Sequence, residues 1–153
     1  MKKGLLVIIS GPAGSGKGTV IKELMNGSDE FVYSVSATTR APRSGDVEGE
    51  TYYFVDRRGF EDMIARGDML EYAEYVGNYY GTPRKPVERA LSEGKNVILE
   101  IETVGALNVK SKMPEAVAIM LLPPSGKALR ERLVGRGTET AEIIEKRMET
   151  ARR

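Results

Sequence analysis

The stretch Ser10–Leu24, SGPAGSGKGTVIKEL, sets four glycines and Lys17 between an apolar run and a helix-like run. Gly11, Gly16 and Lys17 have the G-x-x-x-x-G-K spacing of a phosphate-binding loop (P-loop), in the required context of a strand followed by a helix. The composition has a physical reason. Glycines let backbone N–H groups turn inward and approach phosphate oxygens closely, while a helix starting near Lys17 aims its positive dipole end at the same anion. Lys17 adds a point charge that bridges the terminal phosphates. The loop predicts a bound nucleoside triphosphate. Gly18 stands where the pattern calls for Ser or Thr, and the hydroxyl comes one residue later, at Thr19.

The rest of the chain narrows the chemistry. Its 153 residues, 41% of them hydrophobic, fit one compact domain with enough apolar surface for a core. Lys and Arg number 23 against 22 Asp and Glu, a net charge of +1, so no global field draws the protein onto nucleic acid. With no cysteine and no histidine, disulfides, thiolate chemistry, the usual zinc ligands and Ser/His or Cys/His relays are excluded. The opening run GLLVIIS is too short for a membrane span and no cleavage site follows it, so a soluble, cytoplasmic protein is expected.

Four apolar runs, 4–10, 31–36, 96–102 and 116–122, read as strands buried on both faces of a parallel sheet. Helix-like segments at 17–25, 86–94, 103–113, 125–135 and 141–153 alternate with them, which predicts an α/β sandwich. Between Thr38 and Gly81 the pattern changes to shorter aromatic-rich pieces: TYYFV at 51–55, a helix-like 58–67 and LEYAEYVGNYYG at 70–81. This reads as a small mixed insertion on the open sheet, with Tyr53, Tyr72, Tyr75 and Tyr79 in its core. The polar stretch 135–140 reads as a short lid.

The insertion opens YSVSATTRAPRSGDVEGETYYF, and NYYGTP, ILEIETVGA and RLVGRGTE follow in order. With GSGKGT, these motifs resemble the guanylate kinase family along the whole chain. The resemblance implies a three-layer sandwich of the P-loop nucleoside monophosphate kinase type around a parallel central sheet. It divides the chain into a core (1–37, 82–134 and 141–153), a GMP-binding insertion (38–81) and a lid (135–140). The implied reaction is magnesium-assisted, in-line transfer of the ATP γ-phosphate to GMP or dGMP, giving ADP and GDP or dGDP. ATP is then expected on Gly11, Pro12, Ala13, Gly14, Ser15, Gly16, Lys17, Gly18 and Thr19, with Arg132 and Arg136 closing over it. Lys17, Arg40, Arg136 and Arg147 are the expected catalytic cations. Thr19 and Glu100, the latter through water, are expected at the Mg2+ ion. Members of that family continue past the point where this chain stops, with a last edge strand and a closing helix. A shortened product is expected to leave the run 116–122 as an uncovered edge, to be less stable than its relatives and to bind ATP weakly.

Several of these residues carry independent chemical sense. Arg40 and Arg43 lie three apart in a Pro-containing loop, where two guanidinium forks grip one phosphate from two sides. The resemblance adds Ser36, Tyr52 and Tyr80 to that acceptor-phosphate site. It places Glu71, Thr82 and Glu102 at the base. Guanine presents two neighbouring donors, N1–H and N2–H, and an ionised carboxylate accepts both, whereas adenine offers a bare acceptor at N1. An unpaired buried carboxylate costs about 1–3 kcal/mol, enough to discriminate. Glu102 replaces the family's common aspartate, and Thr103 and Val104 depart from its usual VQGA. Glu100 and Glu102 alternate about Ile101, so on one strand they point to the same side at the ligand end of the sheet. Other readings are a kinase for another nucleoside monophosphate, a non-catalytic guanylate-kinase-like binding module, or an inactive fragment; the expected assembly is a monomer or homodimer.

Overall fold

The computed structural model describes residues 3–75, 77–137 and 139–152. The elements run β1 (Leu6–Ser10), α1 (Lys17–Gly27), β2 (Phe31–Tyr33), β3 (Ala37–Thr38), β4 (Tyr53–Phe54), α2 (Arg57–Ala65), β5 (Met69–Tyr75), β6 (Asn78–Pro83), α3 (Arg84–Ser92), β7 (Asn96–Glu100), α4 (Thr103–Lys112), β8 (Val117–Met120), α5 (Gly126–Gly135) and α6 (Ala141–Arg152). Val76 in the expected insertion, Thr138 in the expected lid, and Met1, Lys2 and Arg153 at the ends of the expected core lie outside the described residues.

All five residues of β1 are buried, so the strand needs cover on both faces. Side-chain alternation shows the source of each. Leu6 and Ile8 pack with Val87 and Leu91 of α3 and Ala106 and Val109 of α4. Val7 and Ile9 pack with Ile21 of α1. The result is the expected three layers, around a parallel sheet ordered β2-β7-β1-β8. Helices α5 and α6 form a further unit through Leu129, Leu133, Ile144 and Met148, with Ala13 of the glycine-rich loop against it.

The aromatic-rich segment builds a second, mixed sheet ordered β4-β3-β6-β5, with a small core of Ala37, Phe60 and Met69. A register irregularity between Met69 and Glu71 joins the two units. It makes Met69, Leu70 and Glu71 buried in succession, where a regular strand would turn one of them to solvent. Met69 enters the small core and Leu70 enters the main one.

Three expectations require correction. Of the tyrosines expected in the insertion's core, only Tyr79 packs there, stacked on Phe60 at 5.0 Å; Tyr53, Tyr72 and Tyr75 are exposed, and β5 from Tyr72 to Tyr75 lies open on both faces. The run 116–122 is not buried on both faces: Ala116 is buried, but all four residues of β8 are exposed, as an uncovered edge strand requires. Finally, β7 ends at Glu100. Ile101 donates one last N–H to Ile9 O at 3.3 Å, and Glu102 is already the N-cap of α4, so Glu100 and Glu102 do not alternate on one strand.

Candidate functional site

At the C-terminal end of β1 the chain turns sharply against its neighbour. Gly11 has φ 144°, and a Cβ there would lie 2.2 Å from Leu121 O, so only glycine fits. The loop closes with Gly16 at φ 101° as the N-cap of α1, and no side chain caps that helix. Its first N–H groups therefore face outward with the positive end of the helix dipole. Lys17 folds back over the loop, donating to Gly11 O at 2.6 Å and Pro12 O at 3.2 Å. Burial holds its ammonium below the usual lysine range; Glu100 and Glu102 oppose that shift, whereas Arg136 and Arg147 add to it. Lys17 thus lies in the field of two carboxylates and two guanidinium groups from α4's approach and the α5–α6 region.

The loop is braced from behind. Arg132 on α5 donates from Nη1 to Gly14 O at 3.3 Å and Ser15 O at 3.2 Å. Ser15 Oγ is buried without a hydrogen-bond partner among the described residues, an orphaned polar atom inside the loop. Arg147 pairs with Glu139 at 2.5 Å. Gly18 and Thr19 are exposed, and Thr19 lines an apolar groove with Val20, Glu23 and Phe31 along α1.

The second cluster rises from the loop after β3. Arg40 lies over the rings of Tyr52 and Phe54, 5.3 and 5.9 Å from their centroids, and pairs with Asp46 at 3.0 Å. The backbone N–H of Arg43 donates to the same carboxylate oxygen at 2.8 Å, while its side chain extends into solvent. Tyr52 meets Tyr80 edge-on at 6.1 Å, and burial raises its phenol's pKa. Ser36 sits beside them at the entry to β3, its carbonyl accepting from Tyr53 N–H at 2.9 Å.

The third cluster is carboxylate. Glu71 and Thr82 face each other across β5 and β6, and the Thr82 hydroxyl donates to Glu71 Oε1 at 2.8 Å. Both are buried, and burial raises the Glu71 pKa, tempered by Thr82 and by the Lys112 ammonium. Glu71 Oε2 reaches the first turn of α4, where a Cβ on Gly105 would lie 2.9 Å away. Glu102, at the N-cap of the same helix, is exposed. Both carboxylates thus sit where a helix N-terminus favours negative charge.

Glu100 lies between the clusters. It interacts electrostatically with Lys17 on one side and Tyr52 on the other, and it accepts a hydrogen bond from Tyr33 Oη at 3.2 Å. Tyr33, Asp46 and Glu139 are site neighbours that sequence reasoning missed. Asp46 carried a signal in the turn Arg43–Asp46, closed by Asp46 N–H to Arg43 O at 3.0 Å.

No group of three or more His, Cys, Asp or Glu side chains among the described residues is placed to hold a metal. The lone central carboxylate, Glu100, is a hard oxygen donor. That donor set fits a magnesium ion that keeps most of its waters and takes other ligands from phosphate.

The family model described as guanylate kinase matches residues 3–153. The guanylate kinase of Halalkalibacterium halodurans is 56% identical over 151 residues, covering 99% of this chain and 74% of the relative. That of Streptococcus thermophilus is 57% identical over 152 residues, covering 99% and 73%. A crystal structure of guanylate kinase from Anaplasma phagocytophilum superposes with TM-score 0.73 at 34% identity, over 98% of this chain and 74% of that one. On sequence and on fold alike, the chain belongs to the guanylate kinase family.

Proposed function

We propose that the two nucleotides of a guanylate kinase reaction occupy opposite sides of Glu100, with ATP on the loop Gly11–Thr19 and GMP in the insertion. The activity is ATP-dependent phosphorylation of GMP, which the extent of similarity to guanylate kinases favours over a kinase for another nucleotide or a non-catalytic module. The division into a core (1–37, 82–134, 141–153), an acceptor insertion (38–81) and a lid (135–140) belongs to the same proposal.

A phosphate oxygen of GMP attacks the γ-phosphorus, the bond to the β–γ bridging oxygen breaks, and ADP leaves with that electron pair. The acceptor is already an anion, so no general base is needed. Lys17 moves from the carbonyls of Gly11 and Pro12 to the terminal phosphates, and Arg136 and Arg147 bring positive charge to the transferring group. Arg40, Arg43, Tyr52, Tyr80 and Ser36 hold the acceptor phosphate. Glu71 and Thr82 read the guanine edge, with Glu102 beside them. Glu100 would hold the water shell of a magnesium ion, whose charge would offset that of the phosphates. Arg132 steadies the loop through one nitrogen, Nη1, on Gly14 O and Ser15 O, and its other N–H groups remain to close over ATP. Among the described residues no helix is long and apolar enough to cross a membrane.

The observation that carries this reading is the buried Glu71–Thr82 pair, whose Glu71 Oε2 reaches the first turn of α4, the helix that follows Glu100. The test is ADP formation from ATP with GMP, AMP, UMP or CMP as acceptor, with Lys17→Ala as control. GMP-dependent turnover that Lys17→Ala abolishes is expected; folded protein with no preference for GMP overturns it.

A further inference from the structure

We propose that Asp46 is a positioning residue for the acceptor phosphate, one carboxylate oxygen holding Arg40 and the backbone of Arg43 in fixed register. This rests on the reading of Arg40 and Arg43 as the arginines that bind that phosphate.

Asp46 Oδ2 accepts from Arg40 Nη2 at 3.0 Å and from the Arg43 backbone N–H at 2.8 Å. The Asp46 and Arg40 side chains are each only 12% exposed. Its geometry is closed locally as well: Asp46 N–H donates to Arg43 O at 3.0 Å, making a turn with the carboxylate folded inside it. Arg40 is further held by its Nη1 donating to Ala41 O at 2.9 Å and by the faces of Tyr52 and Phe54. A guanidinium has five N–H donors. Asp46 and Ala41 take one each and leave the rest for an anion.

A long flexible arginine side chain must otherwise be ordered when the phosphate arrives, at the expense of affinity. Asp46 orders Arg40 beforehand. It also fixes where the backbone delivers Arg43, whose own side chain is free in solvent. The hydrogen bond from the Arg43 backbone and the charge of Arg40 lower the Asp46 pKa, so the carboxylate remains ionised at neutral pH. The opposite role is also physically defined. A carboxylate that merely occupied Arg40 in place of phosphate would compete with GMP, and its removal would tighten binding.

Asp46→Asn keeps the size and removes the charge; Asp46→Glu keeps the charge on a longer arm. Binding of GMP and of guanosine is measured by calorimetry on each, with KM for both substrates and a thermal melt. For Asp46→Asn we expect GMP binding to weaken about ten-fold, the size of one lost charge-assisted hydrogen bond. Guanosine binding and KM for ATP should be unchanged, and Asp46→Glu should recover part of the loss. A purely structural role would weaken guanosine along with GMP and overturn the proposal. So would unchanged or tighter GMP binding. Arg40→Ala separates the two levels: if it leaves GMP binding unaltered, the acceptor-site reading itself fails. If it weakens GMP while Asp46→Asn does not, only the role of Asp46 fails. In the Arg40→Ala background, Asp46→Asn should lose most of its effect on GMP.

Discussion

The Tyr33 hydroxyl donates to Glu100 Oε2 at 3.2 Å, tying the ends of two adjacent parallel strands beneath the point where the donor and acceptor clusters meet. Burial and the Glu100 charge raise the Tyr33 pKa, so the phenol stays protonated and remains a donor throughout the usable pH range. Glu100 is thereby held in one orientation between Lys17 and Tyr52.

Tyr33→Phe removes that hydrogen bond and little volume. A hydrogen bond to a charged group contributes about 1.5–3 kcal/mol, so kcat should fall roughly ten-fold or more. The magnesium concentration for half-maximal rate should rise while KM for GMP stays unchanged. Steady-state kinetics across a magnesium titration checks this; parental kcat and parental magnesium response would show that Glu100 needs no such anchor.

Glu71 gives a pH prediction with a definite sign. Guanine needs the ionised carboxylate, and burial has raised the Glu71 pKa above the ordinary 4.5. As pH falls through that raised value the acceptor is lost, so KM for GMP should climb at a higher pH than an exposed glutamate would allow. The same group affects stability in the reverse sense. The folded state binds its proton more tightly than the unfolded state, so stability is lost as pH rises from 4.5 through the raised pKa. Glu71→Gln should therefore melt higher than the parent at neutral pH, bind GMP about ten-fold or more weakly, and flatten the acid limb of the KM profile. A Glu71→Gln variant with parental GMP affinity would refute the base-reading role.

Gly105 supplies a steric companion to that test. A Cβ at this position would lie 2.9 Å from Glu71 Oε2 and 3.4 Å from its Cδ. Gly105→Ala should push the carboxylate off Thr82 and weaken GMP more than ATP, although alanine is the better helix former. Equal KM values for GMP in parent and variant would mean that Glu71 relocates without consequence.

The loop and the order of motifs were legible because each depends on residues close in sequence. Gly11, Gly16 and Lys17 announce a strand, a tight turn and a helix within one short stretch. What escaped depends on register. Tyr33 and Glu100 are 67 residues apart and meet only because β2 lies beside β7 with Tyr33 opposite Ile98. Glu71 was found by motif, but its burial arises from a register shift that no propensity encodes. Asp46 escaped because its carboxylate meets Arg40 only once the loop between them has folded. The alternation drawn through Glu100 and Glu102 failed because β7 ends at Glu100, two residues short of Glu102.

Arg132 should act on the donor side alone. Its two hydrogen bonds to Gly14 O and Ser15 O bridge α5 to the loop. Arg132→Ala should raise KM for ATP and lower stability by about 1 kcal/mol, leaving guanosine binding untouched. Arg132→Lys should recover part of the loss, since both hydrogen bonds come from the single nitrogen Nη1 and an ammonium also has more than one N–H to donate. ATP and GMP kinetics with a chemical melt decide it; a large loss in kcat with unchanged KM for ATP would place Arg132 at the reacting phosphate instead.

The exposed edge at β8 predicts a colloidal rather than a catalytic defect. Val117, Ile119 and Met120 are 40%, 42% and 51% exposed on a strand that has no partner on its outer side among the described residues. Such an edge is a template for pairing with another chain. Ile119→Lys puts a charge on it, and because the side chain is already partly in water its effect on the unfolding free energy should lie within about 0.5 kcal/mol. Light scattering during heating should show slower, less concentration-dependent aggregation, with chemical unfolding unchanged. If the lysine variant aggregates at the parental rate, the sticky surface lies elsewhere, and the exposed face of α1 with Val20 and Leu24 is the next to charge.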